Sequence, residues 1–138
     1  MVYDGNGNIL VQDRVDSSWP GVSFPGGHIE PGESFTLSVI REIKEETGLT
    51  VSSPMLCGIK QWTNEKNERY IVLFYKTDKF SGELRSSDEG QVFWIKSDEL
   101  FNYKLSKDFE DMYRIFENDI LQEFFWTQEN GEWRKYIY

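Results

Sequence analysis

The stretch Phe24–Leu49, FPGGHIEPGESFTLSVIREIKEETGL, decides how the chain is to be read. A glycine-rich turn runs into a helical pattern from Ser34 to Thr47, with Pro31-Gly32 ahead of it and Gly48 as the stop. With Ser34 at zero and about 100° per residue, Phe35, Val39, Ile40 and Ile43 fall between about 100° and 240°. That is an apolar face. Glu42, Glu45 and Glu46 fall at about 80°, 20° and 120° and share one flank of it. Glu42 lies one turn from Glu46 and three positions from Glu45, so the carboxylates can converge. Like charges at that spacing repel by a few tenths of a kcal/mol, roughly, for each i,i+4 pair. A hard divalent cation would compensate, since Mg2+ takes oxygen ligands from a few carboxylates plus substrate phosphates. Arg41, four residues before Glu45, is the other compensation, and would leave only a solvated helix face with ion pairing. Periodicity leaves both open.

The turn ahead of the helix bears on that choice. Gly26 and Gly27 permit a tight backbone and close approach of another group, and Gly32 permits the bend. Glu33 sits just before the first turn, where exposed amides favour negative charge. It reads as a cap or as a residue shaping a metal pocket.

Outward from the helix, strand-like runs occupy Ile9–Gln12, Leu56–Trp62, Arg69–Thr77 and Gln91–Ile95, separated by polar stretches such as TNEKNE. Asp4-Gly5-Asn6-Gly7 is a turn signal with only Met1–Tyr3 before it. The first strand is therefore expected to be a stub, and the native N-terminus to be shortened or to begin late. Lys107–Asn118 has Phe109, Met112, Tyr113 and Phe116 at helical spacing. Asp98 is placed to cap a short turn, and a terminal hairpin is expected to turn at Asn130-Gly131. With turns too short for crossovers and no linker, residues 1–138 are expected to form one mixed α/β domain.

The 138 residues are 38% hydrophobic and 16% aromatic, enough for a sizeable core. A formal net charge of -9 argues against a nucleic-acid polymer as partner, but not against a small anionic substrate carried with a cation. Cys57 is the only cysteine, so no intrachain disulfide forms. With no long apolar span and no secretory leader pattern, a cytoplasmic protein without a membrane segment is expected.

Gly27, Glu33, Arg41, Glu42, Ile43, Glu45, Glu46, Gly48 and Leu49 match the Nudix box at every specified position: G, five residues, E, seven residues, then R-E-aliphatic-x-E-E-x-G-aliphatic. Chance would supply its fixed residue types less than about once in a million starts. The chain resembles the Nudix hydrolases, and ILVQDR before the box and EGQVFWI after it resemble the MutT-like branch. The segment after these resembles nothing placed.

The resemblance implies an α/β/α sandwich around a mixed sheet, and hydrolysis of a nucleoside diphosphate linked to another group. Mg2+ is the implied cofactor, with Mn2+ as a substitute. It implies Glu42, Glu45 and Glu46 as metal ligands, with Glu42 preferred to Glu45 as the group activating water. Arg41 and Glu33 would hold the loop and helix together, and Gly27 would let the loop approach the metal. Glu89, in the EGQ of the MutT-like pattern, is a further implied ligand. Arg14, closing QDR, resembles a phosphate-contacting arginine. Glu89 is otherwise a turn residue, and Arg14 otherwise a strand-end charge.

The sequence offers no convincing nucleophilic triad. His28, the sole histidine, reads as a solvent-facing loop residue, and Cys57 as a packed strand residue. Phe24, Trp62, Tyr70 and Phe74 are candidates to stack on a base, although aromatics at strand spacing are more often core or cross-strand pairs. The resemblance favours a Mg2+-dependent nucleoside triphosphate pyrophosphohydrolase giving a monophosphate and pyrophosphate, with an oxidised purine such as 8-oxo-dGTP as substrate. The alternatives are a pyrophosphatase for ADP-ribose or another nucleoside diphosphate derivative, and a non-catalytic nucleotide sensor. A small-molecule nucleotide partner and a monomer or homodimer are expected.

Overall fold

The computed structural model describes all 138 residues, Met1–Tyr138. In chain order the elements are β1 (Asn8–Arg14), β2 (Gly21–Ser23), α1 (Phe35–Thr47), β3 (Thr50–Val51), β4 (Met55–Thr63), β5 (Arg69–Lys76), β6 (Phe80–Ser81), β7 (Gly90–Lys96), a 3-10 helix (Ser97–Asn102), α2 (Phe109–Glu117), β8 (Glu123–Glu129) and β9 (Glu132–Ile137). They fall into two compact units, Met1–Met55 with Lys76–Lys107, and Leu56–Tyr75 with Asp108–Tyr138. No helix is long and apolar enough to cross a membrane.

The first unit is built on β1. Its Ile-Leu-Val-Gln run is buried because β1 is the central strand of an antiparallel sheet ordered β2-β1-β7. Gln12 pairs with Ser23 on β2 and with Val92 on β7, and Arg14 with Gly21 and Gly90. Leu10 and Val92 meet Ile43 of α1 in a cluster with Val2, Leu49 and Val51, against which Val39, Ile40, Leu84 and Trp94 pack. The expected stub strand is present as isolated bridges, Val2 to Thr77 and Tyr3 to Ile9. It contributes Val2 to the core. Strands β3 and β6 pair with each other. At two residues each, like the three of β2, they are too short to show a period, and none was expected from sequence.

One part of the expected helix face differs. Phe35 shares the stripe with Val39 and Ile43 but is 56% exposed. The cluster is reached only from Val39 onward, and the first turn of α1 overhangs it.

In the second unit a four-stranded sheet runs β5-β4-β8-β9. β4 and β8 are parallel while β8 and β9 are antiparallel, so the sheet is mixed. The hairpin turns at Asn130 (φ 53°) and Gly131 (φ 83°), as its Asn-Gly pair requires. Helix α2 begins at Phe109, two residues later than its periodicity, because Asp108 takes a left-handed conformation (φ 63°). The Asp108 carboxylate is buried between Lys60 (3.2 Å) and Lys135 (3.0 Å), and Lys135 also reaches Asp111 at 2.9 Å.

Candidate active site

Burial of Ile43 fixes the rotation of α1 and separates the three acids that sequence grouped together. Glu46, three positions on, is turned inward and is 5% exposed. The Glu42 side chain is half-buried, while that of Glu45 stands out in solvent. Gly48 ends the helix in a left-handed conformation (φ 73°), its N–H donating to Lys44 O at 3.0 Å.

Arg41 organises the outer part of this surface. Its Nε and Nη2 donate to Glu33 Oε1 and Oε2, both at 2.8 Å, in a bidentate fork. Nη2 also reaches the His28 carbonyl at 3.0 Å. Nη1 donates to Glu42 Oε1 at 2.9 Å and Glu45 Oε2 at 3.0 Å. The guanidinium, and then the Glu30 N–H, hold Glu33 well below the usual carboxylate range, at about 2. Arg41 is itself pushed up, first by Glu33. Glu33 and Arg41 thus tie the turn to the helix, and Glu42 and Glu45 converge on a cation of the protein itself. No three His, Cys, Asp or Glu side chains are drawn up around a common point.

Glu46 lies deeper. Its Oε2 accepts the Gly26 N–H at 2.8 Å. Burial pushes its pKa up to about 7, against which the Gly26 bond acts; Glu42 and Glu89 raise it further and Arg14 lowers it. Glu89 stands in the turn before β7 and its carbonyl accepts the Val15 N–H at 3.2 Å, beside Arg14. Arg14 itself is 3.9 Å from Asp16. Glu42, Glu89 and Arg14 therefore all stand near enough to Glu46 to act on it. Gly27 closes the group: a Cβ there would lie 2.7 Å from Glu42 Oε1 and still nearer Oε2.

A family model for the NUDIX domain matches residues 1–118, which include every one of these side chains. The chain belongs to the NUDIX domain family. A MutT protein from Bacillus halodurans is similar in structure, with a TM-score of 0.75 and 29% identity over 98% of this chain and 93% of that one. The fold is the Nudix-type α/β fold with a mixed sheet. Among curated proteins, this Nudix chain is 29% identical to an ADP-ribose pyrophosphatase of Methanocaldococcus jannaschii over 92 residues, covering 65% of this chain and 54% of the relative. It is 32% identical to an NAD-capped RNA hydrolase, NudC, of Mycobacterium tuberculosis over 104 residues, covering 72% and 32%. The chain spans about half the length of the first curated relatives it matches.

The acids fit a hard divalent cation by their chemistry. The donors are all carboxylate oxygens, and Glu46 is a buried carboxylate held by a neutral N–H and crowded by two others. The remaining residues divide cleanly. His28 is exposed and engages Arg41 through its carbonyl. Cys57 is half-buried on β4, its Sγ 3.3 Å from Phe74 O. Trp62 stacks on Tyr70 with centroids 4.4 Å apart, and Phe74 packs on Phe116 at 5.0 Å, so these aromatics pair with each other. Phe24 is half-buried at the start of the glycine turn. The Gly26 N–H and the His28 carbonyl were not legible from sequence, because every residue type offers them.

Proposed function

We propose that this Nudix chain hydrolyses the phosphoanhydride bond of a nucleoside diphosphate linked to a second group, of the ADP-ribose type. The observation that carries this reading is that Glu42, Glu89 and Arg14 all act on the buried Glu46, beside a Gly27 whose Cβ position is taken up by the Glu42 carboxylate. The choice of a diphosphate derivative is supported by the likeness to an ADP-ribose pyrophosphatase and to an NAD-capped RNA hydrolase. The likeness to a MutT protein over nearly the whole chain supports a second reading, a nucleoside triphosphate pyrophosphohydrolase.

Glu42, Glu45, Glu46 and Glu89 would hold Mg2+, with Mn2+ as a substitute. A divalent cation there supplies charge neutralisation for the diphosphate oxygens. Arg14 contacts a phosphate. Glu42 accepts the proton of the attacking water. Water oxygen bonds to phosphorus as the bridging P–O bond breaks, so ADP-ribose yields AMP and ribose 5-phosphate. Arg41 and Glu33 keep turn and helix in register throughout. Residues 1–138 act as one domain, in a cytoplasmic setting.

The test is product analysis over ADP-ribose, ATP, dGTP and 8-oxo-dGTP with Mg2+ and with EDTA. Metal-dependent AMP and ribose 5-phosphate from ADP-ribose are expected. Pyrophosphate from a triphosphate, with ADP-ribose untouched, would select the second reading. Tight nucleotide binding without any product would leave a sensor.

A further inference from the structure

Gln12 has no part in the chemistry described so far. Its side chain is fully buried, and both amide atoms, Oε1 and Nε2, lack a hydrogen-bond partner. Leaving a buried polar group unpaired is destabilising, and an apolar side chain of the same size would avoid that. The surroundings favour one. Leu10, two residues earlier on the same face of β1, and Val92, directly opposite on β7, both belong to the apolar cluster under Ile43.

Two residues further along that face is Arg14, whose Nε is likewise buried without an acceptor. On the other side, Gln12 pairs with Ser23, three residues before the Gly26 that holds Glu46. The Gly26 N–H reaches one carboxylate oxygen of Glu46, Oε2. These needs are complementary. Arg14 Nε is a donor and Gln12 Oε1 an acceptor; Gln12 Nε2 is a donor and Glu46 Oε1 an acceptor. Alternate residues of a strand are about 7 Å apart, a gap that glutamine and arginine side chains span by rotation. Arg14 already acts electrostatically on Glu46.

We propose that Gln12 is a positioning residue joining Arg14 to Glu46, its Oε1 accepting from Arg14 Nε and its Nε2 donating to Glu46 Oε1 once a cation occupies the carboxylates. This rests on the reading of Arg14 as the phosphate contact and Glu46 as a cation ligand. The link fixes the distance between the group that holds the diphosphate and the group that holds its counter-ion. It gives a glutamine a role at a position where leucine or methionine would pack.

The test uses Gln12→Met, Arg14→Lys, which lacks the Nε–H, and the double variant. In EDTA, Gln12→Met is expected to unfold at or above the wild-type temperature. Its Mn2+ affinity, by titration calorimetry without nucleotide, should fall about tenfold or more, as for other groups that orient ligands. For ADP-ribose hydrolysis, the KM of the double variant should be no higher than that of the worse single one. Wild-type Mn2+ affinity in Gln12→Met, or KM effects that multiply, would overturn the proposal. If Gln12→Met does not fold, Gln12→Leu is read by the same titration. If the wild type turns over no diphosphate substrate, the functional reading fails while the Mn2+ titration still decides the role of Gln12.

Discussion

Replacing Glu46 by glutamine should make the metal-free protein more stable and unable to use a cation. Glu46 is 5% exposed, and its folded-state pKa stands at about 7 against 4.5 for the ordinary group. The folded state therefore binds its proton more tightly than the unfolded chain does. Between pH 4.5 and 7 stability falls as pH rises, and above 7 the full cost of burying the carboxylate is present. The difference in pKa corresponds to about 3 kcal/mol at pH 8 and less than about 1 kcal/mol at pH 5. Glutamine carries no charge to bury, and its Oε1 can still accept the Gly26 N–H.

The measurement is thermal unfolding of wild type and Glu46→Gln in EDTA, from pH 5 to pH 8. At about 3 °C per kcal/mol for a chain of this length, the variant should melt roughly 8–10 °C higher at pH 8 and within about 3 °C at pH 5. Excess Mn2+ should reverse the order. At a thousandfold excess over its Kd wild type gains about 4.1 kcal/mol, more than its deficit at pH 8, and the variant gains far less. Parallel pH profiles for the two proteins in EDTA would refute the account of Glu46 as a buried, cation-seeking carboxylate.

Three further predictions follow from named contacts. Gly27→Ala places a Cβ against the Glu42 carboxylate, which Arg41 pins from the other side, so kcat should fall about 100-fold with little change in Tm; wild-type kcat would sink the assignment of Glu42. The lowered pKa of Glu33 contributes stability that is fully present above about pH 4.5 and lost as pH falls towards 2. Unfolding of Glu33→Gln across that window should lack this component, and an acid limb identical to wild type would contradict the Arg41 clamp. Asp108→Asn keeps a residue tolerant of the left-handed backbone but removes the carboxylate between Lys60 and Lys135. Denaturant unfolding should show a loss of about 3–5 kcal/mol, and a loss of only a few tenths would show that the buried pair is dispensable.

The site was legible in sequence wherever side-chain chemistry is tied to helical spacing. Arg41, Glu42, Glu45 and Glu46 sit at intervals that place them relative to Ile43, but the structure turns Glu46 inward and Glu45 outward, and Glu33 lies ahead of the helix, joined to it by Arg41. Arg14 and Glu89 were named only through the resemblance, since no spacing links them; the register between β1 and β7 brings Arg14 opposite Gly90, next to Glu89. Phe35 shows the limit of a helical wheel, which gives direction but not where the core ends. Strands β2, β3 and β6 escaped for a related reason: two or three residues carry no period, and they are strands only because longer neighbours pair with them. Gln12 did leave a trace, as a polar residue at an inward position of an apolar strand.

The two edges of Arg41 reconcile a carboxylate cluster that pairs with arginine and one that holds a cation. Nε and Nη2 are committed to Glu33, with Nη2 also on the His28 carbonyl, whereas Nη1 alone holds Glu42 and Glu45. A divalent cation can therefore draw Glu42 and Glu45 from Nη1 without undoing the fork that ties turn to helix. In the metal-free protein Nη1 offsets the mutual repulsion of those two acids, a task the cation takes over. Glu46 has no such substitute, since only a neutral N–H reaches it, and it adapts by holding its proton near neutrality. Cation binding should then release protons, most strongly when the solution pH lies between 5 and 7 and through Glu46. Mn2+ titration in buffers of different ionisation enthalpy measures that release directly. Its persistence in Glu46→Gln at the wild-type stoichiometry would assign the proton to a group other than Glu46.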